Sequence, residues 1–154
     1  MVLENFMFIY ALEKEIFYIY NNIYNKKLIM KTISLKISNI SSEITYYIGK
    51  DAKDNFDIID KANPEDIWIH ASDCSSCHVI AVIHNENYLS KKQKYSIIIN
   101  GIHLCLQNTN SLHQQKNIEF SYTKVKNVVK TNKIGKVTII DKVSKKVISN
   151  LTFS

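Results

Sequence analysis

Two histidines on either side of a short polar turn are the residues of this chain best suited to chemistry. His70 ends an alternating run at residues 67–70, and His78 opens the apolar run that follows. The alternation predicts a strand that carries Trp68 and His70 on one face. If the two runs pair as antiparallel strands, both imidazoles come together. Such a pair can bind phosphate, donate hydrogen bonds to bases, or act as acid and base.

Trp68 is the only tryptophan of the chain, and two interpretations of it stay open. On an exposed sheet surface the indole would stack on a base, which is worth about 1–3 kcal/mol per base. Inside the fold it would be a core residue, as large aromatic side chains often are. The alternation of residues 67–70 is compatible with both.

Gly49 and Lys50 form a candidate phosphate contact upstream of the histidines. Glycine lets a ligand approach the backbone closely, and the lysine ammonium supplies a point charge. A tight turn with a surface lysine would have the same sequence. Asn55 and Asp57 follow, and we interpret them mainly as residues that orient this loop through hydrogen bonds to the backbone.

A second group of candidate ligands lies at residues 122–130, where aromatic or polar residues alternate with lysine. This interleaving is expected where stacking on bases and phosphate contacts act together. An exposed basic loop after an edge strand is the other interpretation, and it is compatible with RNA binding. The candidates in this segment are Tyr122, Lys124, Lys126, Asn127 and Lys130.

The charge of the chain is unevenly distributed. The net charge is +6 and the pI about 9.1, but residues 1–90 hold 8 Lys against 12 acidic residues, whereas residues 91–154 hold 12 Lys against 2. A concentrated lysine surface attracts phosphate backbones, because each neutralised phosphate releases counterions. A solvated lysine-rich face is the alternative. The basic surface is therefore expected in the C-terminal part.

Cys74, Cys77 and His78 match the C-x-x-C-H pattern of haem attachment, and the two cysteines alone would suit zinc or thiol redox chemistry. Haem attachment normally requires export, which the N-terminal sequence does not support. Zinc would need a second clear Cys or Cys/His pair. We therefore expect reduced thiols, with no metal and no cofactor.

The elements that position these residues form an α+β domain, with a mainly antiparallel sheet and one long and one short helix packed on it. The helices are expected at residues 54–61, capped by Asp54 or Asn55 and ended by Pro64, and at residues 90–107. The predicted strands are residues 33–37, 44–48, 67–71, 78–83, 118–123, 136–141 and 145–151.

Residues 1–29 differ from this domain, which we assign to residues 30–154. They are predicted to be an N-terminal helix or an extension upstream of the true start, and as a helix they could bind a protein partner or a second copy. Charged residues at 13–15 interrupt the apolar stretch, so no membrane span is expected. Without a basic region before it, the stretch does not resemble a secretory signal, and we expect a cytoplasmic or nuclear protein.

The combined motifs resemble the NFACT-R domain, the RNA-binding module of the large NFACT proteins of ribosome quality control. The likeness lies in residues 49–57, 63–70 and 76–79 and again in residues 120–135. Lys50 stands where many relatives have arginine, which keeps the charge but loses the bidentate fork. The resemblance implies RNA as the partner, such as tRNA or rRNA, and an association with translation, but it does not identify a pathway.

We therefore predict a stand-alone RNA-binding module for structured or single-stranded RNA, without catalysis of its own. The alternatives are an RNA-processing or RNA-modifying enzyme with His70 and His78 as acid and base, and a DNA-binding or protein-binding adaptor. The predicted binding residues are Gly49, Lys50, Asn55, Trp68, His70, His78, Tyr122, Lys124, Lys126, Asn127 and Lys130.

Overall fold

The computed structural model describes residues 30–149. The predictions for residues 1–29 and for the last residues of the C-terminal strand therefore lie outside the described part. Within residues 30–149, no helix is both long enough and apolar enough to cross a membrane.

A six-stranded sheet, antiparallel throughout, forms the centre of the fold, with strand order β1-β2-β4-β3-β5-β8. Two further strands, β6 and β7, form a separate hairpin. The strands are β1 (Lys31–Lys36), β2 (Glu43–Ile48), β3 (Ile67–Ala71), β4 (Val79–Ala81), β5 (Asn117–Lys124), β6 (Val128–Lys130), β7 (Val137–Ile139) and β8 (Ser144–Ser149). The helices are α1 (Ala52–Lys61) and α2 (Lys91–Gln107). The predicted α+β class is confirmed.

The long helix α2 covers one face of the sheet. Ser90 caps it, because the serine side chain accepts from the Gln93 N–H while the Gln93 side chain accepts from the Ser90 N–H. Its buried residues Ile97 and Ile102 pack against the inward side chains of the central strands. Tyr46 on β2 donates its hydroxyl hydrogen to the carbonyl of Ile97 across 2.9 Å, which satisfies a buried polar group.

The short helix α1 and the β6–β7 hairpin cover the other face. Ile58 of α1 and Val128 of β6 pack with Trp68 and Ile80 in a second buried cluster. The central strands are therefore covered on both sides. The whole run at residues 79–83 is buried, as its unbroken apolar sequence predicted.

The turn at residues 63–66 is held by a buried carboxylate. The two oxygens of Asp66 accept from the backbone N–H of Asn63 and of Ile83, each at 2.8 Å. The N–H of Val125 donates to the carbonyl of Asp66 at 2.9 Å. This turn therefore connects the start of β3 to the ends of β4 and β5.

The predicted cap of α1 was wrong, and so was the alternative interpretation of residues 122–130 as an exposed loop after an edge strand. Asp51 caps α1, since its side chain accepts from the Asp54 N–H at 2.9 Å, and Asn55 lies inside the helix. The strand β5 is not an edge strand, because it pairs with both β3 and β8. The segment after it is not an open loop either, since β6 begins at Val128 and pairs with β7.

Candidate nucleic-acid interface

The side chains of Trp68, His70 and His78 form a cluster of three rings. Because β3 and β4 pair Ile69 with Val79, the two histidines lie opposite each other at the next position. Their ring centroids are 4.8 Å apart with the planes at 84°. His70 also stacks on Trp68, with 5.5 Å between centroids and 13° between planes. The prediction that the strands bring both imidazoles together is confirmed.

A hydrogen bond fixes the protonation of His78. The Trp68 indole N–H donates to Nδ1 of His78 at 3.1 Å, so Nδ1 has no hydrogen and the neutral ring carries its proton on Nε2. Burial lowers the pKa of His78 to about 3, and the neighbouring His70 adds to the shift. Burial also lowers the pKa of His70, although a hydrogen bond with the backbone of Ala71 acts the other way. Both imidazoles are therefore neutral at neutral pH.

Gly49 and Asn55 hold the backbone of His78. The His78 N–H donates to Oδ1 of Asn55, and the His78 carbonyl accepts from the Gly49 N–H, each at 3.0 Å. A Cβ atom at position 49 would lie 2.1 Å from that Asn55 oxygen, so only glycine fits. Asn55 is thus an orienting residue, but its side chain bonds the backbone of His78 and not the predicted loop at Gly49 and Lys50, and Asp57 pairs with Lys53.

The indole of Trp68 lies in the core and is only 2% exposed. The ring stacks on His70, and its N–H and edge contact His78. Apolar residues of α1, β4 and β6 surround the rest of the ring. Of the two interpretations of this residue, the structure matches the core one. In this conformation the ring offers no free face to a base.

A cleft of about 960 Å³ opens beside the three rings. His70 and the hydroxyls of Ser72 and Ser121, which lie 2.7 Å apart, contribute to its floor. The β3–β4 loop and residues 108–111 after α2 form part of the wall, and residues 50–52 and 133–137 form the rest. The cleft thus joins residues from five separate parts of the chain, since Ser121 on β5 belongs to none of these four wall segments.

The tip of the β6–β7 hairpin borders this cleft and carries two lysines, Lys133 and Lys136. Thr131 closes the tip, because its hydroxyl donates to the Lys136 carbonyl at 2.9 Å and accepts from the Lys133 N–H at 3.2 Å. Gly135 has a φ of +82°, and a Cβ there would lie 2.7 Å from the Cβ of Ala52. The tip is therefore seated closely on the first turn of α1.

The family comparison decides what kind of domain this is. The model of the family "NFACT protein RNA binding domain" matches residues 25–141. The chain belongs to this family. It therefore carries an NFACT-R domain, an RNA-binding module, as the motifs at residues 49–79 and 120–135 predicted.

Curated relatives of this NFACT-R chain include coiled-coil domain-containing protein 25 from Bos taurus, 34% identical over 91 residues, and from Danio rerio, 33% identical over 92 residues. These matches cover 59% and 60% of this chain, but only 43% and 44% of the relatives. The chain thus matches less than half the length of these relatives.

A solved structure, the C-terminal part of the fibronectin/fibrinogen-binding protein from Streptococcus suis, has the same fold. It superposes with a TM-score of 0.60 at 16% sequence identity, over 79% of this chain and 46% of that chain. At this level of identity the likeness concerns the fold alone.

The predicted residues of the second group do not lie beside the cleft of the NFACT-R domain. Tyr122 and Lys124 are paired with Ile69 and Ile67 and project from the α2 face of the sheet, opposite to Trp68 and His70. The structure thus separates the predicted binding surface into two parts.

The lysines of that group are bound in ion pairs. Lys124 pairs with Glu65 and Glu86, and Lys126 also pairs with Glu65. Hydrogen bonds from these two lysines lower the pKa of Glu65 to about 2. Lys130 pairs with Asp60 of α1. Each of these ammonium groups already has a carboxylate beside it.

Asn127 is half-buried and is held by hydrogen bonds to other residues of the chain. Its side-chain amide donates to the Thr123 hydroxyl at 2.8 Å, and its backbone carbonyl accepts from the Ile140 N–H at 2.9 Å.

Sequence reasoning missed the hydroxyl pair of Ser72 and Ser121 and assigned no separate role to the hairpin tip. The available signal for the tip was a glycine between lysines at residues 133–136, which is typical of a tight turn.

The cysteines do not pair as the C-x-x-C spacing would require. The Sγ atom of Cys77 lies 3.8 Å from that of Cys105 on α2, and the contact lowers the pKa of Cys77 to about 7 while raising that of Cys105. Cys74 is a third free thiol. Within residues 30–149 no group of three or more His, Cys, Asp or Glu side chains is placed to hold a metal ion.

Proposed function

We propose that this chain binds structured or single-stranded RNA, such as tRNA or rRNA, through the cleft and without chemical turnover. The observation that carries the proposal is the hairpin tip, whose residues Lys133 and Lys136 line the cleft. Within the described part of the chain, neither of these lysines forms an ion pair with an acidic side chain. Free ammonium groups at the rim of a cleft can neutralise phosphates.

Binding without turnover is supported by the state of the two histidines. An acid–base pair that cleaves RNA needs one neutral and one protonated imidazole. Burial keeps the pKa of both His70 and His78 below the ordinary value, and Nδ1 of His78 is occupied by the Trp68 N–H. The pair is therefore better suited to hydrogen bonding than to proton transfer near neutral pH.

A salt series tests the proposal. The affinity of the purified chain for a folded tRNA and for DNA of equal length is measured across a range of salt concentrations. The Lys133→Ala/Lys136→Ala variant is expected to weaken tRNA binding and to flatten the salt slope by roughly 0.7–0.9 for each phosphate that is no longer neutralised. The wild type should also leave the tRNA intact after prolonged incubation.

Lys124→Ala/Lys126→Ala is the matched control, because it removes the same number of positive charges from the other face of the sheet. It is expected to leave the affinity and the salt slope near those of the wild type. Equal effects of the two variants would mean that overall charge binds RNA and the cleft does not. No measurable tRNA binding by the wild type, or cleavage of the tRNA, would overturn the proposal itself.

A further inference from the structure

The cleft separates positive charge from neutral polar groups. Lys133 and Lys136 lie at its rim on the hairpin tip, whereas the floor contains His70 and the hydroxyls of Ser72 and Ser121. A ligand that fits both regions is anionic at one end and neutral with hydrogen-bonding groups at the other. A nucleotide has this composition, since its phosphate is charged and its ribose and base are neutral.

The floor favours the neutral part of such a ligand. Burial keeps His70 and His78 uncharged at neutral pH, so neither imidazole attracts phosphate by charge. Neutral imidazoles and hydroxyls are good partners for ribose hydroxyls and for base edges. Ser72 and Ser121 are hydrogen-bonded to each other across 2.7 Å, and Ser72 also bonds the Glu119 side chain, but each hydroxyl oxygen still has a lone pair that can accept.

The size and the acidic wall of the cleft limit how much RNA can enter. Its volume is about 960 Å³, at the upper end of the range for small-molecule pockets. A cleft of this volume is far too small to enclose a duplex. The β3–β4 loop contributes Asp73 to the wall, and its carboxylate disfavours a phosphate on that side. Asp51 also lines the cleft, but its side chain caps α1.

We infer that the cleft takes one unpaired nucleotide of the bound RNA, with the phosphate at Lys133 and Lys136 and the ribose and base on the floor beside His70, Ser72 and Ser121. The inference rests on the proposed function and makes it more specific. It assigns the phosphates of paired regions to contacts outside the cleft. The unpaired nucleotide is supplied by a strand end or by a loop.

The test compares RNAs that differ only in unpaired nucleotides. The chain is titrated with a blunt RNA duplex, with the same duplex bearing a 3′ or a 5′ overhang, and with the same duplex carrying an internal loop. We expect the best unpaired form to bind roughly tenfold more tightly than the blunt duplex. The rank of the overhangs and the internal loop shows whether a strand end or a loop supplies the nucleotide.

One double variant tests the floor of the cleft, and a second serves as its control. Ser72→Ala/Ser121→Ala should lose most of the preference for unpaired nucleotides and keep the affinity for the blunt duplex. The matched control is Ser34→Ala/Thr45→Ala, which removes another cross-strand hydroxyl pair, 3.2 Å apart, on β1 and β2. This control should keep the full preference.

A measurement on the wild type does not depend on the folding of any variant. The NMR signals of the His70 and His78 imidazoles should shift on adding the overhang RNA and stay in place on adding the blunt duplex. Equal affinities for all the RNAs, with unmoved imidazole signals, would overturn the inference while RNA binding stands. Absence of binding to every RNA would instead overturn the proposed function.

Discussion

The indole N–H of Trp68 donates to Nδ1 of His78 across 3.1 Å, and this bond connects the core under α1 to the cleft. The tryptophan is buried among apolar residues, whereas His78 also lines the cleft. Because a buried donor without an acceptor is costly, the two side chains stabilise each other. A change at Trp68 therefore alters His78 even where the tryptophan itself contacts no ligand.

Replacing Trp68 by phenylalanine should reduce stability without abolishing RNA binding. Phenylalanine keeps most of the apolar ring but leaves Nδ1 of His78 without its donor, which costs about 1–3 kcal/mol. Trp68→Ala removes the whole ring from the core and should cost about 3–5 kcal/mol. Urea unfolding gives both values. If folded Trp68→Phe lost RNA binding with unchanged stability, a direct contact between the indole and RNA would be indicated.

The stability should fall as the pH drops below the ordinary pKa of histidine. The pKa of His78 is about 3 in the folded chain, so between about pH 6.5 and pH 3 the unfolded chain binds a proton that the folded chain does not. The contribution of His78 to the free energy of unfolding is complete above the pKa that this histidine has in the unfolded chain. Below that pKa it is lost at up to about 1.4 kcal/mol per pH unit. The lowered pKa of His70 acts in the same direction.

The control for this pH dependence is His78→Asn. Asparagine does not titrate, and its side-chain oxygen can accept the Trp68 N–H. Free energies of unfolding are compared between about pH 5 and pH 8, above the range in which carboxylates such as Glu65 titrate. The variant should show a shallower slope, and identical slopes in the two proteins would contradict the assignment.

Gly49→Ala should be destabilising, because the new methyl group would lie 2.1 Å from Oδ1 of Asn55. Relief of this clash displaces the acceptor of the His78 N–H, and we expect a cost of about 1–3 kcal/mol in thermal or urea unfolding. Gly101→Ala on α2 is the comparison. Its Cβ would lie 2.3 Å from Cδ1 of Ile69, the far end of a side chain that can rotate, and 3.4 Å from Cε1 of Tyr46, so a smaller loss is expected. The reverse order would contradict this explanation.

The sequence was sufficient to predict the elements with strong periodicity. The alternation at residues 67–70 and the apolar run after His78 placed the two histidines together, and the spacing at residues 90–107 placed α2. The burial of Trp68 was not predictable from alternation, since alternation assigns a face of the sheet but does not show what covers that face. Here α1 and β6 cover it.

The ion pairs of the lysines could not be predicted from the sequence either, for a different reason. Lys124 pairs with Glu65, which is 59 positions away and is brought near by the pairing of β3 with β5. A run of alternating lysines gives no sign of such distant partners. The strand β6 is only three residues long, too short for any periodicity to indicate it.

Asp66→Ala should be among the most destabilising polar changes. It leaves the N–H of the buried Ile83 and that of Asn63 without their acceptors, and the loss at Ile83 alone costs about 1–3 kcal/mol. Glu119→Ala is the control, because Glu119 forms an ion pair with Lys145 at a more exposed site, where such pairs contribute little. Comparable decreases of stability in both variants, measured by urea unfolding, would contradict the role of the Asp66 carboxylate.

Gly135→Ala tests whether the seating of the hairpin tip controls RNA affinity. The left-handed backbone at φ +82° disfavours alanine by roughly 1–2 kcal/mol, and the new Cβ would press on Ala52 at 2.7 Å. The tip should lift from α1 and move Lys133 and Lys136 away from the cleft. Ile140→Ala is the control, since this side chain just after β7 is 65% exposed and does not line the cleft. Because the six-stranded sheet does not include the tip, Gly135→Ala should reduce RNA affinity while the melting temperature falls only modestly. Unchanged affinity in a variant with a displaced tip would show that these lysines do not bind RNA from this position.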